Sequence, residues 1–306
     1  MIDGTHTPAA PTAPAAPPGL AAATARRAEL AQSLHALHSG GRVLVLPNAW
    51  DAASARLIED AGASAVATTS AGVGWGLGSA DGERLDRQRA LELVRSVVAA
   101  VRVPVTADVE CGYGDDPEAV AETVRGVLAA GAVGVNLEDA SYGAQDGAQG
   151  AAMRPADEHA ARIAAARSAA DDAGVPLFIN ARTDIYLKSV GDPKERFAET
   201  VRRAGAYVAA GADGVFVPGV VDPQTVAALA REIAVPLNVM AGPGAPSVGE
   251  LARLGVARIS VGAAIAQAVH ALTQRAAREL LTEGTYTSFA DGLGYPELNG
   301  LFGRRP

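Results

Sequence analysis

The chain has 306 residues, of which 49% are hydrophobic and 20% charged, so it can bury a large core and is not a mainly disordered protein. Its formal charge of −8, with no local block of Lys or Arg, argues against nucleic acid as a partner. The single cysteine, Cys111, excludes an internal disulfide and a thiolate zinc cluster, and it fits a reducing compartment.

The sequence has no apolar run near the roughly 18 residues that a membrane span needs, which predicts no transmembrane helix. The first 20 residues contain five Pro and five Ala but neither Lys nor Arg, which predicts a disordered tail. The pair Arg26-Arg27 precedes a polar segment rather than the apolar stretch of an export signal. We therefore expect a cytoplasmic protein with a tail over residues 1–20, a catalytic domain over 21–285 and a C-terminal helical extension over 286–306.

Short apolar runs alternate with helical segments from residue 43 onwards, the order that gives parallel strands joined by crossover helices. Some runs follow a Val-Pro pair, and others follow a helix that ends in Gly, the residue suited to a left-handed helix terminus. With the apolar run Arg42-Val-Leu-Val-Leu46 added, they predict eight strands, near 43–46, 64–68, 104–108, 133–137, 176–181, 213–217, 235–239 and 257–261. Helices are predicted near 51–60, 86–100, 117–130, 155–172, 194–210, 222–231, 247–254 and 263–282.

Eight parallel strands are the number that closes a (β/α)8 barrel, an α/β fold of the TIM type. An open doubly wound sheet has a similar element order, but it requires a glycine-rich turn of defined spacing after the first strand. Here that turn reads Pro47-Asn-Ala-Trp-Asp51, and the glycines that follow the second strand have the wrong spacing. The sequence therefore favours the barrel.

Acidic side chains stand where the third and fourth predicted strands end. Asp108 and Glu110 occupy alternate positions and can converge, and Glu138 ends the neighbouring strand, about 4.8 Å away. Carboxylate oxygens suit Mg²⁺ or Mn²⁺ rather than zinc. The alternative is that these are solvated loop carboxylates or members of structural salt bridges.

Two residue types are absent from the predicted strand ends. All five histidines fall in the tail or in helical segments, which argues against a zinc-His cluster and a histidine general base. The two lysines, Lys188 and Lys194, lie within a loop and at a helix start, which argues against Schiff-base catalysis.

Four motifs give the chain a resemblance to the isocitrate lyase and phosphoenolpyruvate mutase superfamily over roughly residues 40 to 300. They are Thr68-Thr-Ser-Ala-Gly72 with Asp81-Gly82, Asp108-Val-Glu-Cys-Gly-Tyr-Gly114, Gly134-Val-Asn-Leu-Glu-Asp139 and Asn180-Ala-Arg-Thr-Asp184. The resemblance implies a barrel whose last helix is commonly exchanged between subunits. It also implies Mg²⁺, a 2-oxo acid or related carboxylate as substrate, and in many members a metal-stabilised enolate.

The resemblance also implies a metal site. Asp108 resembles the direct metal ligand, and Asp81, Glu110 and Glu138 resemble the carboxylates that hold the water shell of the metal. Among these residues, the resemblance implies that Asp81 and Glu138 act in catalysis together with Arg182.

For the substrate, Arg182 resembles the clamp on a carboxylate, with a structural pair to Asp184 or Asp139 as the alternative. The loop that grips the 2-oxo acid through a hydroxyl and backbone N–H groups corresponds to Ser70, Ala71 and Gly72. The polar side chain of Asn238, which ends the seventh strand, resembles a further contact.

The segment after the fourth strand departs from the family. Isocitrate and methylisocitrate lyases carry a Lys-Lys-Cys-Gly-His-type loop there, and phosphonate mutases carry a loop with Lys and Asn. Residues Ala140 to Arg154 contain neither Cys nor Lys, so the resemblance leaves the exact reaction open. Their Gly and Ala content fits a mobile lid or a passive loop. Cys111 lies in another loop, and we interpret it as a bystander.

Three functions follow as hypotheses. The first is a Mg²⁺-dependent carbon–carbon lyase that cleaves or decarboxylates a small 2-oxo or 2-hydroxy dicarboxylate through an enolate. The second is a phosphonate mutase or a carbon–phosphorus hydrolase, and the third is a catalytically idle barrel that serves binding or assembly. Apolar residues between Thr287 and Phe302, beyond the last barrel helix, need a surface to cover them, which with the resemblance predicts a homodimer or homotetramer.

Overall fold

The computed structural model describes residues 18–142 and 152–303. The strands are β1 (Leu44–Leu46), β2 (Asn48–Ala49), β3 (Val66–Thr68), β4 (Val105–Asp108), β5 (Gly134–Glu138), β6 (Ala140–Ser141), β7 (Ala152–Met153), β8 (Phe178–Arg182), β9 (Gly214–Val217), β10 (Leu237–Met240) and β11 (Arg258–Ser260). The helices are α1 (Pro18–Ser39), α2 (Ala52–Asp60), α3 (Ser70–Gly76), α4 (Arg87–Ala100), α5 (Pro117–Ala130), α6 (Ala156–Asp172), α7 (Arg196–Ala209), α8 (Pro223–Glu232), α9 (Val248–Arg253), α10 (Ala264–Thr282) and α11 (Tyr295–Gly303), with a 3₁₀ helix over Thr287–Phe289.

The main sheet is parallel and runs in the order β1-β11-β10-β9-β8-β5-β4-β3-β2. Its two ends, β1 and β2, are consecutive in the chain and are separated only by Pro47, which has no N–H to donate to a ladder. Asn48 links the strands on either side of this interruption: its Nδ2 donates to Thr68 O at 3.0 Å, and its Oδ1 accepts from Val261 N at 3.0 Å. The sheet is therefore a barrel of eight strand positions whose first strand is split.

The predicted (β/α)8 barrel is confirmed, and each predicted strand and helix lies within about two residues of an observed one. The sequence patterns did not predict α1, α3 or the short antiparallel pair β6–β7, whereas α11 lies within the predicted C-terminal helical extension. Helix α1 begins at Pro18, inside the segment predicted as a tail, and residues 1–17 lie outside the described residues. The centre of the predicted lid, residues 143–151, lies outside them as well.

Helix α1 covers the end of the barrel where the strands begin. His38 stacks on Phe178, the first residue of β8, with ring centroids 3.9 Å apart, and Leu34 is fully buried. The barrel is therefore closed at this end, and a functional site is expected at the opposite end, where the strands finish.

Helix α10 follows β11 but is exposed over most of its length. Ala266 and Glu279 are its buried residues, whereas Leu272 and Leu281 are exposed. Helix α11 contacts α2 and buries Leu301. Within residues 18–142 and 152–303, none of the helices combines the length and the apolar character needed to cross a membrane.

Candidate active site

A cavity of about 640 Å³ opens where the barrel strands end. Six of the predicted site residues line it, namely Ser70, Ala71, Asp81, Asp108, Arg182 and Asn238. Gly72, Glu110 and Glu138 are buried behind its wall. A larger groove of about 830 Å³ lies between α1, α2 and β1 on the outside of the barrel, away from all of these residues.

Asp108, the last residue of β4, is fixed by N–H donors on both sides. Its Oδ2 accepts from Ser70 N at 3.1 Å, and its Oδ1 accepts from Asn136 Nδ2 at 3.1 Å. Its own N–H donates to Thr68 Oγ1 at 2.8 Å. These contacts hold the carboxylate at the cavity wall without an ion pair to a basic side chain among the described residues.

Asp81 stands at the mouth of the cavity, between α3 and α4, and its side chain is exposed. Its pKa is nevertheless raised, first because the cavity walls desolvate it and then because Asp108 carries a like charge. A hydrogen bond with the Ser70 side chain opposes this increase. Two neighbouring carboxylates that repel each other favour either a shared proton or a cation.

Glu110 has a left-handed backbone, with φ of 48°, which turns its carboxylate under the segment that carries Asp81. Its Oε2 accepts from the backbone N–H groups of Gly82 and Glu83. Burial, with further contributions from Asp108 and Asp81, raises the pKa of Glu110 to about 8, although the Glu83 N–H bond opposes the increase. In this arrangement Glu110 positions the Asp81 loop.

Glu138 and Arg182 end the paired strands β5 and β8 and form an ion pair, with Nη1 2.6 Å from Oε2. Asp184 grips the other side of the guanidinium through Nε at 2.6 Å and Nη2 at 3.0 Å. The pairing of Arg182 with Asp184, the structural alternative weighed from the sequence, is therefore present. Arg182 still lines the cavity. The contacts to Glu138 and Asp184 engage three of its five N–H groups, so two remain for a ligand.

Two residues that the sequence did not single out complete the surroundings of Glu138. Tyr142 donates its hydroxyl to Glu138 Oε1 at 2.7 Å, and Lys188 lies over the Tyr142 ring with Nζ 4.9 Å from its centroid. Lys188 Nζ is also 3.2 Å from Asp184 Oδ2. Burial raises the pKa of Glu138, whereas Arg182 and the Tyr142 bond oppose that increase.

Amide side chains connect Asp108 to the opposite wall of the barrel. Asn180 Nδ2 donates to Asn136 Oδ1 and to Asn238 Oδ1, each at 3.1 Å. Asn238 Nδ2 reaches Ser260 Oγ at 3.2 Å. Asn238 is thus a buried member of a polar network, and Asn136 and Asn180 were present in the motifs without an assigned role.

The expected substrate loop is the first turn of a helix. Ser70, Ala71 and Gly72 begin α3, and the Ser70 N–H is already donated to Asp108. A Cβ at Gly72 would lie 2.9 Å from both Trp50 Cβ and Thr69 Cγ2, so glycine is needed for close packing. A helical turn therefore replaces the predicted loop, and Thr69 precedes it in an extended conformation without a side-chain cap hydrogen bond.

Cys111 and Arg162 support the loop after β4. Cys111 Sγ is 2.7 Å from Ala140 O, and burial followed by the nearby Glu138 charge raises the pKa of the thiol. The buried guanidinium of Arg162 donates to the backbone oxygens of Cys111, Gly114 and Asp116. Cys111 does not line the cavity, which agrees with its interpretation as a bystander.

The donor set fits a hydrated divalent cation. Within residues 18–142 and 152–303, no three His, Cys, Asp or Glu side chains converge closely enough to hold a metal directly. Mg²⁺, however, usually binds through one or two carboxylates and keeps several waters. Asp108 with Asp81 nearby provides hard oxygen donors for such a site, whereas a dry cage of four carboxylates does not fit the geometry.

Comparison with known proteins agrees with this architecture. The sequence matches the phosphoenolpyruvate phosphomutase family over residues 34–281. The crystal structure of a provisionally named lyase/mutase from Burkholderia cenocepacia J2315 superimposes with a TM-score of 0.84 at 39% identity, covering 92% of this chain and 98% of that one. The 2-methylisocitrate lyase of Bacillus subtilis (strain 168) is 30% identical over 202 residues, 66% of this chain and 64% of that enzyme.

The fold also extends to a more distant structure. Phosphonopyruvate hydrolase in complex with oxalate and Mg²⁺ superimposes with a TM-score of 0.77 at 24% identity, covering 90% of this chain and 95% of that one. The barrel and the family match over most of the chain lead to one conclusion: the protein belongs to the phosphoenolpyruvate phosphomutase family, within the isocitrate lyase and phosphoenolpyruvate mutase superfamily of enzymes.

Proposed function

We propose that the protein is a Mg²⁺- or Mn²⁺-dependent lyase that cleaves or decarboxylates a small 2-oxo or 2-hydroxy dicarboxylate through an enolate. The observation that carries this proposal is that Asp108 and Arg182 line one cavity where the barrel strands end. A carboxylate able to bind a cation and a guanidinium able to bind a carboxylate are the two groups needed to hold a 2-oxo acid as a chelate.

In the proposed site, Asp108 holds the cation directly and Asp81 holds its water shell. Glu110 and Glu138, which the resemblance also assigns to that shell, lie behind the cavity wall and would support it by fixing the Asp81 loop and Arg182. When bound, the cation would stabilise the negative charge that develops on the 2-oxo oxygen. The like-charge repulsion between Asp81 and Asp108 supports this assignment, because a cation between them would remove it.

On the substrate side of the proposed site, ion pairs hold the Arg182 side chain in place. Glu138 and Asp184 hold the guanidinium of Arg182, and its two remaining N–H groups can receive the substrate carboxylate. Ser70 and Ala71 begin α3 at the same cavity, and Asn238 offers a polar edge from the opposite wall. Asp81, exposed at the mouth and with a raised pKa, is suited to exchange a proton with the reacting group.

A substrate panel tests this proposal against the two other hypotheses. Oxaloacetate, 2-methylisocitrate and phosphonopyruvate would be incubated with the protein and Mg²⁺, with EDTA in a parallel series and a protein-free control for spontaneous decay. We expect metal-dependent formation of a 2-oxo acid product from oxaloacetate, the dicarboxylate of the panel, whereas 2-methylisocitrate, a tricarboxylate, tests carbon–carbon cleavage of a larger substrate. Turnover of phosphonopyruvate alone would favour the phosphonate enzyme, and metal-dependent oxalate binding without any turnover would favour a binding module.

A further inference from the structure

Arg258 is a buried cation in the wall of the cavity that the proposed chemistry does not use. It begins β11, lies beside Asn238 in the sheet register and is only 3% exposed. Of the four charged residues that line the cavity, two are acidic, and the other two are Arg182 and Arg258. Arg182 is held by two carboxylates, whereas Arg258 has no ion pair within the described residues.

Two of the three guanidinium nitrogens of Arg258 also lack hydrogen-bond partners. Its Nε and Nη1 are buried, and their N–H groups donate to no acceptor within residues 18–142 and 152–303. An unpaired buried charge costs far more than a paired one, so its retention needs a compensating anion. Burial lowers the pKa of Arg258 to about 10, and the charge of Asp108 opposes this decrease.

We infer that Arg258 receives the second carboxylate of the substrate and so selects a dicarboxylate over the corresponding monocarboxylate. This inference rests on the proposed function, in which Asp108 and Arg182 hold the first carboxylate and the 2-oxo group. A planar guanidinium can bind one carboxylate through two parallel hydrogen bonds.

Malate and lactate are the matched probes for this inference, because both are 2-hydroxy acids and only malate has the distal carboxylate. Their dissociation constants would be measured by calorimetry with Mg²⁺ present, together with that of oxalate, which fills only the chelating position. For the wild-type protein we expect malate to bind at least about tenfold more tightly than lactate, the value of a hydrogen-bonded charge pair. In R258M the two should bind about equally, with oxalate affinity unchanged.

The control variant R253M removes an exposed arginine from α9 and should keep the malate preference. R258Q, which keeps a polar head group, gives the same readout if R258M does not fold; failure of both to fold would assign Arg258 a structural role and overturn the inference. An unchanged ratio of malate to lactate affinity in R258M would also overturn it. Absence of metal-dependent oxalate binding to the wild-type protein would instead reject the proposed function itself.

Discussion

Arg182 Nη1 lies 2.6 Å from Glu138 Oε2, and the two residues are direct register partners at the ends of β8 and β5. The backbone ladder therefore fixes the distance between them before any ligand binds. Asp184 holds the opposite edge of the same guanidinium. A substrate carboxylate would meet a cation that has already lost its side-chain freedom, which reduces the entropic cost of binding.

Substitution of Arg182 by Lys should weaken oxalate binding. Lysine keeps the charge, but it cannot maintain the contacts to Glu138 and Asp184 and also offer a two-pronged edge to a ligand. We expect a loss of about 1.5 to 3 kcal/mol in the free energy of oxalate binding, the range for hydrogen bonds to charged groups. Calorimetric titration of oxalate in the presence of Mg²⁺ measures this loss.

R202K is the matched control for that experiment. Arg202 also makes a two-pronged contact with a carboxylate, that of Glu199, but on the exposed face of α7. Its substitution should leave oxalate affinity unchanged. If R182K bound oxalate as well as the wild-type protein, or if oxalate bound equally well without metal, the chelate geometry would be wrong.

Substitution of Asp108 by Ala should abolish metal binding. We expect the wild-type protein to bind about one Mg²⁺ or Mn²⁺ per subunit. Asp108 should be its ligand, because this cavity carboxylate is held by N–H donors and is not paired with a basic side chain in the described structure. Titration with Mn²⁺ tests this expectation. As a control, D115A removes a fully exposed carboxylate from the following loop and should bind the ion normally. Normal Mn²⁺ binding by D108A would refute the assignment of Asp108 as the metal ligand.

The sequence predicted the barrel well because its signals are local. A Val-Pro pair or a helix-ending glycine marks each strand after the first within a few residues, and the order of elements then determines the parallel sheet. Helix α1 was missed because its apolar residues pack against the end of the barrel and do not form a strong stripe. The split between β1 and β2 at Pro47 depends on pairing with β11 and β3, partners that are distant in the chain.

The site was predicted where residues stand in recognisable motifs and missed where only three-dimensional contacts show a role. Arg182 and Asp108 follow from strand-end positions, but the attachment of Tyr142 to Glu138 and the position of Lys188 over its ring depend on how two loops fold together. Arg258 is inconspicuous in the sequence because an arginine in a short apolar run resembles an exposed position. Its burial with two unpartnered guanidinium nitrogens identifies it.

Substitution of His38 by Phe should reduce the acid sensitivity of the fold. Burial, followed by the charge of Arg258, lowers the pKa of His38 from 6.5 to about 3, so the folded state holds this ring neutral. The unfolded state takes up a proton below pH 6.5, so the stability contributed by the neutral ring is present above pH 6.5 and is lost as the pH falls toward 3. At pH 5 this loss amounts to about 2 kcal/mol, from about 1.5 pH units at about 1.4 kcal/mol each.

Urea unfolding of both proteins at pH 8 and pH 5 measures that effect. Phenylalanine preserves the stacking on Phe178, so the two proteins should differ in the change of unfolding free energy between the two pH values. A larger decrease for the wild-type protein than for H38F is expected. Equal decreases would show that His38 is not held neutral in the fold.

The last prediction concerns the outside of the barrel, where a groove and a helix are both uncovered. The groove of about 830 Å³ beside β1 leaves Val45 36% exposed, although barrel strands are normally covered by helices on this face. Helix α10, which would cover it in a simple barrel, exposes Val269, Leu272 and Leu280. We expect α10 of one subunit to lie in the groove of another, giving a dimer or tetramer, because apolar surfaces of this kind need a partner.

Light scattering at micromolar concentration should show this assembly for the wild-type protein and a shift toward monomer for V45D and for L272D, which alter the two sides of the proposed contact. V248D places the same charge at a similarly exposed position on α9 and should remain assembled. A monomeric wild-type protein, or V45D and L272D variants that assemble as V248D does, would reject the exchange of α10.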